Sequence, residues 1–419
     1  MPSRLFNRGL LSLLATQFFG AANDNILKQI LIFMVATGLW AERLGAGGQS
    51  LIGITQAVPF ILLSGIAGQV ADRRSKRSVM IGVKLAEIPI AALALAGLWM
   101  RSLWVTFAAF ALLSIQSSFF GPAKYGVVPE LVEDGELSRA NGWLNMLTNV
   151  AIIAGALIAG PLSDAYYPKA AGETSAEPLL WAPGAALLVV AGLGLGAILI
   201  MPPLKAGAPG LRYDLNVFKT YWRALKEMAA GPLIVVALAW AFFYLLGSIA
   251  LLALPEYQEV LGIDYKLTSR IIGLLGIAIG AGSLLAGWIS GHHIRPRLIP
   301  VGALGMSMCM ILLGVIPPTY LNVSILIAGC GVFAGFYIIP LQALLQKLSP
   351  PDERGRFLGT TNALSWSFIL VGAVVYWLEA QVLELQADAV FLTTGLIAAA
   401  GSGLALLRLR GMLKQHAAV

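Results

Sequence analysis

The chain has 419 residues, 58% of them hydrophobic and only 12% charged, too little polar surface for a soluble protein of this length and the composition of a polytopic membrane protein. Its formal charge of +7 would otherwise suggest nucleic acid, but the basic residues gather at one end of successive apolar stretches. They report topology and exclude a nucleic-acid partner. Twelve apolar stretches nearly exhaust the chain, which leaves no room for a separate enzyme domain.

The stretches fall at 9–38, 51–71, 77–99, 104–123, 141–165 and 179–201, then at 232–254, 268–290, 298–316, 322–346, 357–379 and 389–409, most of them near the roughly 20 residues that cross a bilayer. One side collects Arg4, Arg8, Arg73, Arg74, Lys76, Arg77, Lys124, Arg139, the run from Lys205 to Lys226, Arg295, Arg297, Lys347, Arg354, Arg356, Arg408, Arg410 and Lys414. The other has Arg43, Arg101, Lys169, Lys266 and Arg270. This bias places both termini in the cytoplasm, which demands an even number of spans. The expected fold is an all-α polytopic membrane protein of 12 helices, with six-helix bundles over 1–201 and 232–419 joined by a cytoplasmic linker over 202–231.

The first stretch opens with basic residues, yet its polar interior and lack of a small-residue cleavage site argue against a removed signal. That interior carries Asn23, Asp24, Asn25 and Lys28. Amides and charges at this depth face a solvent that cannot hydrogen-bond, so they mark a cavity, a substrate path or a partner. Asp24 can attract an ammonium group, carry a coupling proton, or be neutralised by Lys28 one turn along the same face. Gln56 in the second stretch is a milder candidate.

After the second stretch, Gly68 and Asp72 precede Arg73, Arg74, Lys76 and Arg77. Glycine lets two helices approach closely, and a carboxylate can cap a neighbouring helix and pair with arginine across a seam. A positive-inside loop alone explains the basic residues but not Gly68 and Asp72. In the third stretch Lys84 and Glu87 share a face; lying toward the cytoplasmic half, they read as a solvated or interhelical pair with Lys84 snorkelling. The fourth carries Gln116 and Ser117, then Gly121-Pro122-Ala123-Lys124, where a helix break would set Lys124 at the cytoplasmic end, either to meet a phosphate or to anchor the span. Gly155, Gly160, Gly276 and Gly280 read as helix-packing positions.

Pro202-Pro203 opens the linker, in which Leu215, Phe218, Trp222 and Leu225 recur at helical spacing with Lys219, Arg223 and Lys226 around them, the pattern of a helix lying in the headgroup region. Beyond it the chain repeats at an offset of about 218 residues: Gly287 and Gly291 answer Gly68 and Asp72, and Pro340 and Gln342 answer Pro122 and Lys124. Such duplication places a binding site between the halves. Gly291 in the aspartate's place argues against a symmetric double latch. His292 and His293, without a nearby carboxylate, read as a solvated basic loop. Cys309 and Cys330 lack metal-ligand spacing and read as inert small hydrophobes. No nucleotide-binding P-loop is present, no histidine begins an acyltransferase H-x-x-x-x-D pattern, and Gly192, Gly194 and Gly196 mimic a dinucleotide fingerprint inside a span.

The Gly68 to Arg77 segment resembles the G-x-x-x-D-R-x-x-[KR]-[KR] loop of the major facilitator superfamily, in which Gly68, Asp72, Arg73, Lys76 and Arg77 would serve as gating residues. Within it, Gln17 to Asn25, that loop, and Phe119 to Glu130 are together similar to the bacterial lysophospholipid transporters, relatives of the transporter domain fused to acyltransferases, with N-D-N at 23–25 in place of that family's G-D-N. The resemblance implies ATP-independent movement of lysophospholipid, chiefly the ethanolamine type, from the outer to the cytoplasmic leaflet of the bacterial inner membrane by alternating access. It implies headgroup contacts from Asn23, Asp24 and Asn25 and a cytoplasmic acyltransferase partner; the residues themselves add Lys28, Gln56, Gln116 and Lys124 as substrate-binding candidates and call for no cofactor. The alternatives are a proton-coupled exporter of amphipathic drugs or small solutes, to which Gly160-Pro161 is a faint pointer, and a non-transporting scaffold.

Overall fold

The computed structural model describes residues 5–36, 39–44, 48–167, 177–263 and 265–416; Arg4, Lys169 and most of the 164–178 segment lie outside them. Twelve long helices follow in order: α1 Arg8–Ala36, α2 Gly48–Arg73, α3 Lys76–Trp99, α4 Leu103–Leu131, α5 Leu137–Tyr166, α6 Ala182–Leu199, α7 Leu233–Ala253, α8 Tyr265–Ser290, α9 Leu298–Val315, α10 Tyr320–Leu348, α11 Arg354–Trp377 and α12 Ala387–His416. A linker helix, Val217–Ala229, sits between α6 and α7. Among the described residues no strand forms, and the one isolated bridge joins Ser75 to Ala206.

Among the described residues, eleven helical segments are long and apolar enough to cross a membrane. The helix missing from that set is α1, whose hydropathy is lowered by Gln17, Asn23, Asp24, Asn25, Lys28 and Gln29. Exposed tryptophans mark both ends of the helices, Trp99, Trp104, Trp181 and Trp377 at one and Trp222 and Trp288 at the other, as amphipathic rings do at a membrane–water interface.

Local sequence sets the helix starts. Asn7 accepts from Leu10 N (2.9 Å) and donates to Leu131 O (2.7 Å), capping α1 and fixing it to the end of α4. Ser75 caps α3 and Thr319 caps α10 in the same way. The expected break at Gly121-Pro122 does not occur. Helix α4 runs through Pro122 and Pro129 to Leu131, so Lys124 lies within a helix rather than at the end of a span. Helix α10 likewise passes Pro340. A proline removes one ladder bond, and packed neighbouring helices supply the compensation that keeps such a helix continuous.

Helices α1 to α6 pack on one another, as do α7 to α12, and the two groups meet chiefly where α2 faces α11 and α5 faces α8. Gly155 abuts α1, and Gly276 and Gly280 abut α5. The second group shares one continuous apolar core. The first has two, one built on Ile26 to Val35 and Leu98 to Leu113, the other on Leu5 to Leu14 and Phe120 to Leu144. Between them lies a layer of polar side chains at the middle of the bundle.

The linker is stitched to α2. Gln69 bonds Asp214 in both directions (2.9 and 2.7 Å), and Arg73 sits over the Tyr213 ring. Tyr221 donates to Ile61 O (2.6 Å) and accepts from Gly65 N (3.0 Å), placing its hydroxyl between two groups that an α-helix joins directly. Gly65 leaves room for the ring, since a Cβ there would lie 2.6 Å from it. Leu215, Phe218 and Trp222 are exposed, whereas Leu225 packs against the core instead of joining them. Burial pushes the Tyr221 hydroxyl up to about 12. Its neutral form is therefore favoured in the folded state, so the clasp holds below about pH 10 and is lost as pH rises through about 12. In alkaline titration of tyrosine absorbance, Tyr221→Phe is expected to remove one high-pH component; an unchanged titration would refute the buried placement.

Candidate functional site

The polar layer of the first group joins α1, α3 and α4. Glu87 is its centre: Lys84 Nζ lies 2.5 Å from Oε2, Gln116 Nε2 3.1 Å from the same oxygen, and Asn23 Nδ2 2.7 Å from Oε1. Both members of the Lys84–Glu87 pair are 2% exposed. The pair is thus neither solvated nor snorkelling, because α1 and α4 cover it and supply its remaining hydrogen bonds. Gln116 also donates to Val83 O (3.1 Å). Ser117 Oγ lies 2.8 Å from Asp24 Oδ2 and 3.0 Å from Gln116 Oε1, which completes a chain from Asp24 to Lys84.

The structure separates the candidates of α1. Asn23 is buried against α3, with its Oδ1 left without a partner, so it is turned away from any cavity. Asn25 donates to Ala21 O in its own helix (2.7 Å). Asp24 and Lys28 are half-buried but form no ion pair, because Ser117 holds the Asp24 carboxylate toward α4. Lys124 is half-buried too, with its ammonium 4.4 Å from the Tyr125 ring, and it also has no ion pair among the described residues. Lys28, Lys84, Glu87 and Lys124 all interact electrostatically with Asp24. Gln56 is half-buried on α2 and belongs to no hydrogen bond among those described.

Tyr125 walls a cavity of about 360 Å³ between the two groups. Its polar lining comes largely from α5, through Asn145, Thr148 and Asn149, with Gln342 from α10. Thr148 is hydrogen-bonded to Gln17 of α1 (3.0 Å). The rest of the wall is mostly apolar. A largely apolar pocket with a few convergent polar groups suits an amphipathic small molecule.

At the linker end the groups are sealed together. Asp72 accepts from Gly355 N (2.6 Å) and Arg356 N (2.8 Å), so a carboxylate on α2 caps the first turn of α11. A Cβ on either Gly68 or Gly355 would collide with the other's backbone. The guanidinium of Arg356 does not reach Asp72; it pairs with Glu227 of the linker and Glu353. Asn141 and Gln346 exchange bonds of 2.6 and 3.1 Å, and Asn362 donates to Ser64 (2.9 Å). Every described hydrogen bond or ion pair between α1–α6 and α7–α12 lies in the linker-end half of the helices.

The remaining loop residues brace the first group rather than the seam. Lys76, fully buried, pairs with Glu130 (2.5 Å), Arg77 donates to Met201 O (2.6 Å) beyond α6, and Arg73 faces the linker. At the repeat-related seam, Gly287 contacts Ser138 and Arg139 of α5. No aspartate follows it, and Glu136 fills the gap from the other side, with Arg139 Nη1 at 2.9 Å and His292 Nδ1 at 2.7 Å. The reading of His292 as remote from any carboxylate is thereby corrected. Glu136 and His292 are far apart in sequence, and only the repeat itself hinted that they would meet.

The Major Facilitator Superfamily pattern matches residues 13–373. The chain is 29% identical over 355 residues to the lysophospholipid transporter LplT of Photorhabdus laumondii, covering 82% of this chain and 81% of that protein, and 28% identical to LplT of Cronobacter sakazakii, covering 86% and 84%. In fold it is similar to the human organic anion transporter MFSD10, with a TM-score of 0.78, 15% identity and 97% and 100% coverage. It is also similar to the transporter FucP in the outward conformation, with a TM-score of 0.76, 14% identity and 95% and 98% coverage. With its superfamily pattern spanning most of the sequence and this fold over nearly all of it, the chain belongs to the Major Facilitator Superfamily.

Proposed function

We propose that the protein moves lysophospholipid, chiefly lysophosphatidylethanolamine, from the outer to the cytoplasmic leaflet of a bacterial inner membrane by alternating access and without ATP. One observation carries this reading: a half-buried carboxylate, Asp24, and two half-buried ammonium groups, Lys28 and Lys124, form no ion pair among the described residues, and Tyr125, next to Lys124, walls a largely apolar cavity. A zwitterionic head and a single apolar tail complement that arrangement, the ethanolamine ammonium at Asp24 and the phosphate at Lys124. The linker end is then cytoplasmic, with both termini. Residues 1–201 and 232–419 are the bodies that rock, and 202–231 joins them. The relatives named lysophospholipid transporters support the substrate, and a cytoplasmic acyltransferase is the partner that would consume it.

The exporter reading, in which Asp24 carries a coupling proton, has one observation in its favour. The contacts Asp24–Ser117 and Ser117–Gln116 share a single hydroxyl hydrogen. Gln116 turns its amide nitrogen to Val83 and Glu87, so a proton on Asp24 would fill both contacts.

Uptake of labelled lysophosphatidylethanolamine is to be measured in cells lacking their own transporter, at matched membrane expression. Wild type is expected to take it up, and Asp24→Ala and Lys124→Ala each to lose at least about tenfold, the worth of one charge-assisted contact. Absence of uptake by wild type rejects the lipid reading. Uptake that collapses with the proton gradient transfers the coupling role to Asp24.

A further inference from the structure

Helix α4 carries Pro129, and a proline has no amide to give to the carbonyl one turn back. In an α-helix that carbonyl belongs to Tyr125. Gln346 Nε2, on α10 of the other bundle, donates to it at 3.0 Å. The rest of the Gln346 amide is committed to Asn141 of α5, which donates to its Oε1 (2.6 Å) and accepts from its Nε2 (3.1 Å). Gln346 and Asn141 are both fully buried, so each bond lost here leaves a polar group without water. One amide of the second bundle thus holds two helices of the first, α4 by its backbone and α5 by a side chain.

Tyr125 faces two regions at once. Its carbonyl lies in the seal, while its ring walls the cavity, with the Lys124 ammonium 4.4 Å away and the Trp240 ring of α7 edge-on at 6.1 Å. At the offset that pairs Pro122 with Pro340, Pro129 is answered by Lys347, so the second bundle has no matching proline. We infer that Gln346 is a positioning residue that couples occupancy of the cavity to the linker-end seal, acting through the Tyr125 carbonyl that Pro129 sets free. The inference rests on the alternating-access reading and adds to it a named connection between cargo and seal. A carbonyl bonded to its own helix moves with that helix alone. One held by Gln346 pulls on the Gln346–Asn141 pair whenever a bound molecule displaces the Tyr125 ring. When that pair parts, the carbonyl needs water, and opening of the linker end supplies it.

The seal is read with Ser138→Cys, in a protein whose Cys309 and Cys330 are replaced by alanine. Ser138 is fully buried against Gly287, and its hydroxyl has no hydrogen-bond partner among the described residues. Labelling by a membrane-impermeant maleimide from the linker side is expected to be slow in this parent and to quicken with lysophosphatidylethanolamine. Gln346→Leu strands the Tyr125 carbonyl and should speed lipid-free labelling by at least about tenfold. Pro129→Ala returns an amide to that carbonyl. Alone it should leave lipid-free labelling slow and cut the response to lipid; combined with Gln346→Leu it should take back about five- to tenfold of the increase. A Gln346 that only packs the seam would give effects that multiply independently, and a Pro129→Ala protein that answers lipid as the parent does. Either result overturns the coupling while leaving transport standing. If Gln346→Leu fails to reach the membrane, the lipid response of Pro129→Ala decides. A parent that neither quickens with lipid nor takes it up removes the lysophospholipid reading instead, and the lipid-free cycle still decides whether Pro129 and Gln346 act as one.

Discussion

Replacing Glu87 by alanine is expected to cost the folded protein about 3–5 kcal/mol, the penalty for stranding one member of a buried ion pair. The Lys84 ammonium is 2% exposed and loses its one ion-pair partner among the described residues, while Asn23 and Gln116 lose the acceptor that holds them. Removing Lys84 alone strands the carboxylate with two neutral donors and should cost a similar amount. Replacing both by apolar residues of matching size should cost much less than the sum, since the desolvation of both charges is relieved together. Thermal unfolding of the purified protein in detergent, taken as a double-mutant cycle, measures the coupling. Additive costs, or a Glu87→Ala protein as stable as wild type, would show that the pair is not the keystone of the polar layer.

Opening of the linker end is expected to become much easier in Gly68→Val and in Asp72→Ala. The first inserts a branched side chain where two backbones touch and should cost about 1–3 kcal/mol in the sealed state. The second removes a carboxylate that satisfies two amides at the start of α11, worth about 1–2 kcal/mol. Either shift changes the ratio of sealed to open states by about 5- to 150-fold, and the double variant should approach the product if the two act independently. A single cysteine at Ser64, fully buried beside the seam, reports the change when a membrane-impermeant maleimide is applied from the linker side. Labelling that stays as slow in both variants as in the parent would mean that Gly68 and Asp72 do not hold the seal.

The elements that a sequence states most clearly are those whose partner is fixed by repetition. Gly68 and Asp72 announce a close contact and a cap, and the structure shows α11 receiving both. Lys84 and Glu87 are legible as sharing one face, since helical spacing alone dictates it. Which helices bury that face is not, and so a pair that looks free to reach solvent lies under α1 and α4. Asp24 and Lys28 fail in the same way: their spacing permits an ion pair, but Ser117 on another helix takes the carboxylate. At Pro122 the local rule predicts a break, and tertiary packing overrides it. The cavity is illegible for a geometric reason. Its walls take a few residues from each of several helices, and no one segment carries its pattern.

The Tyr221 hydroxyl ties the linker helix to the backbone of α2 by two hydrogen bonds. In the arrangement observed, Ile61 O and Gly65 N are joined through it. Were Tyr221 to withdraw, that carbonyl and amide would still have each other as the pair an α-helix joins directly, and the phenol would turn to water. No backbone group is orphaned on either side of that exchange, so its cost is set by how the ring packs against Gly65 and how the linker helix sits on its neighbours. The linker thus works as a pin through the backbone of the helix that carries Asp72 to the seam. A load applied to its exposed Leu215, Phe218 and Trp222 face is delivered to that backbone directly, through one oxygen atom.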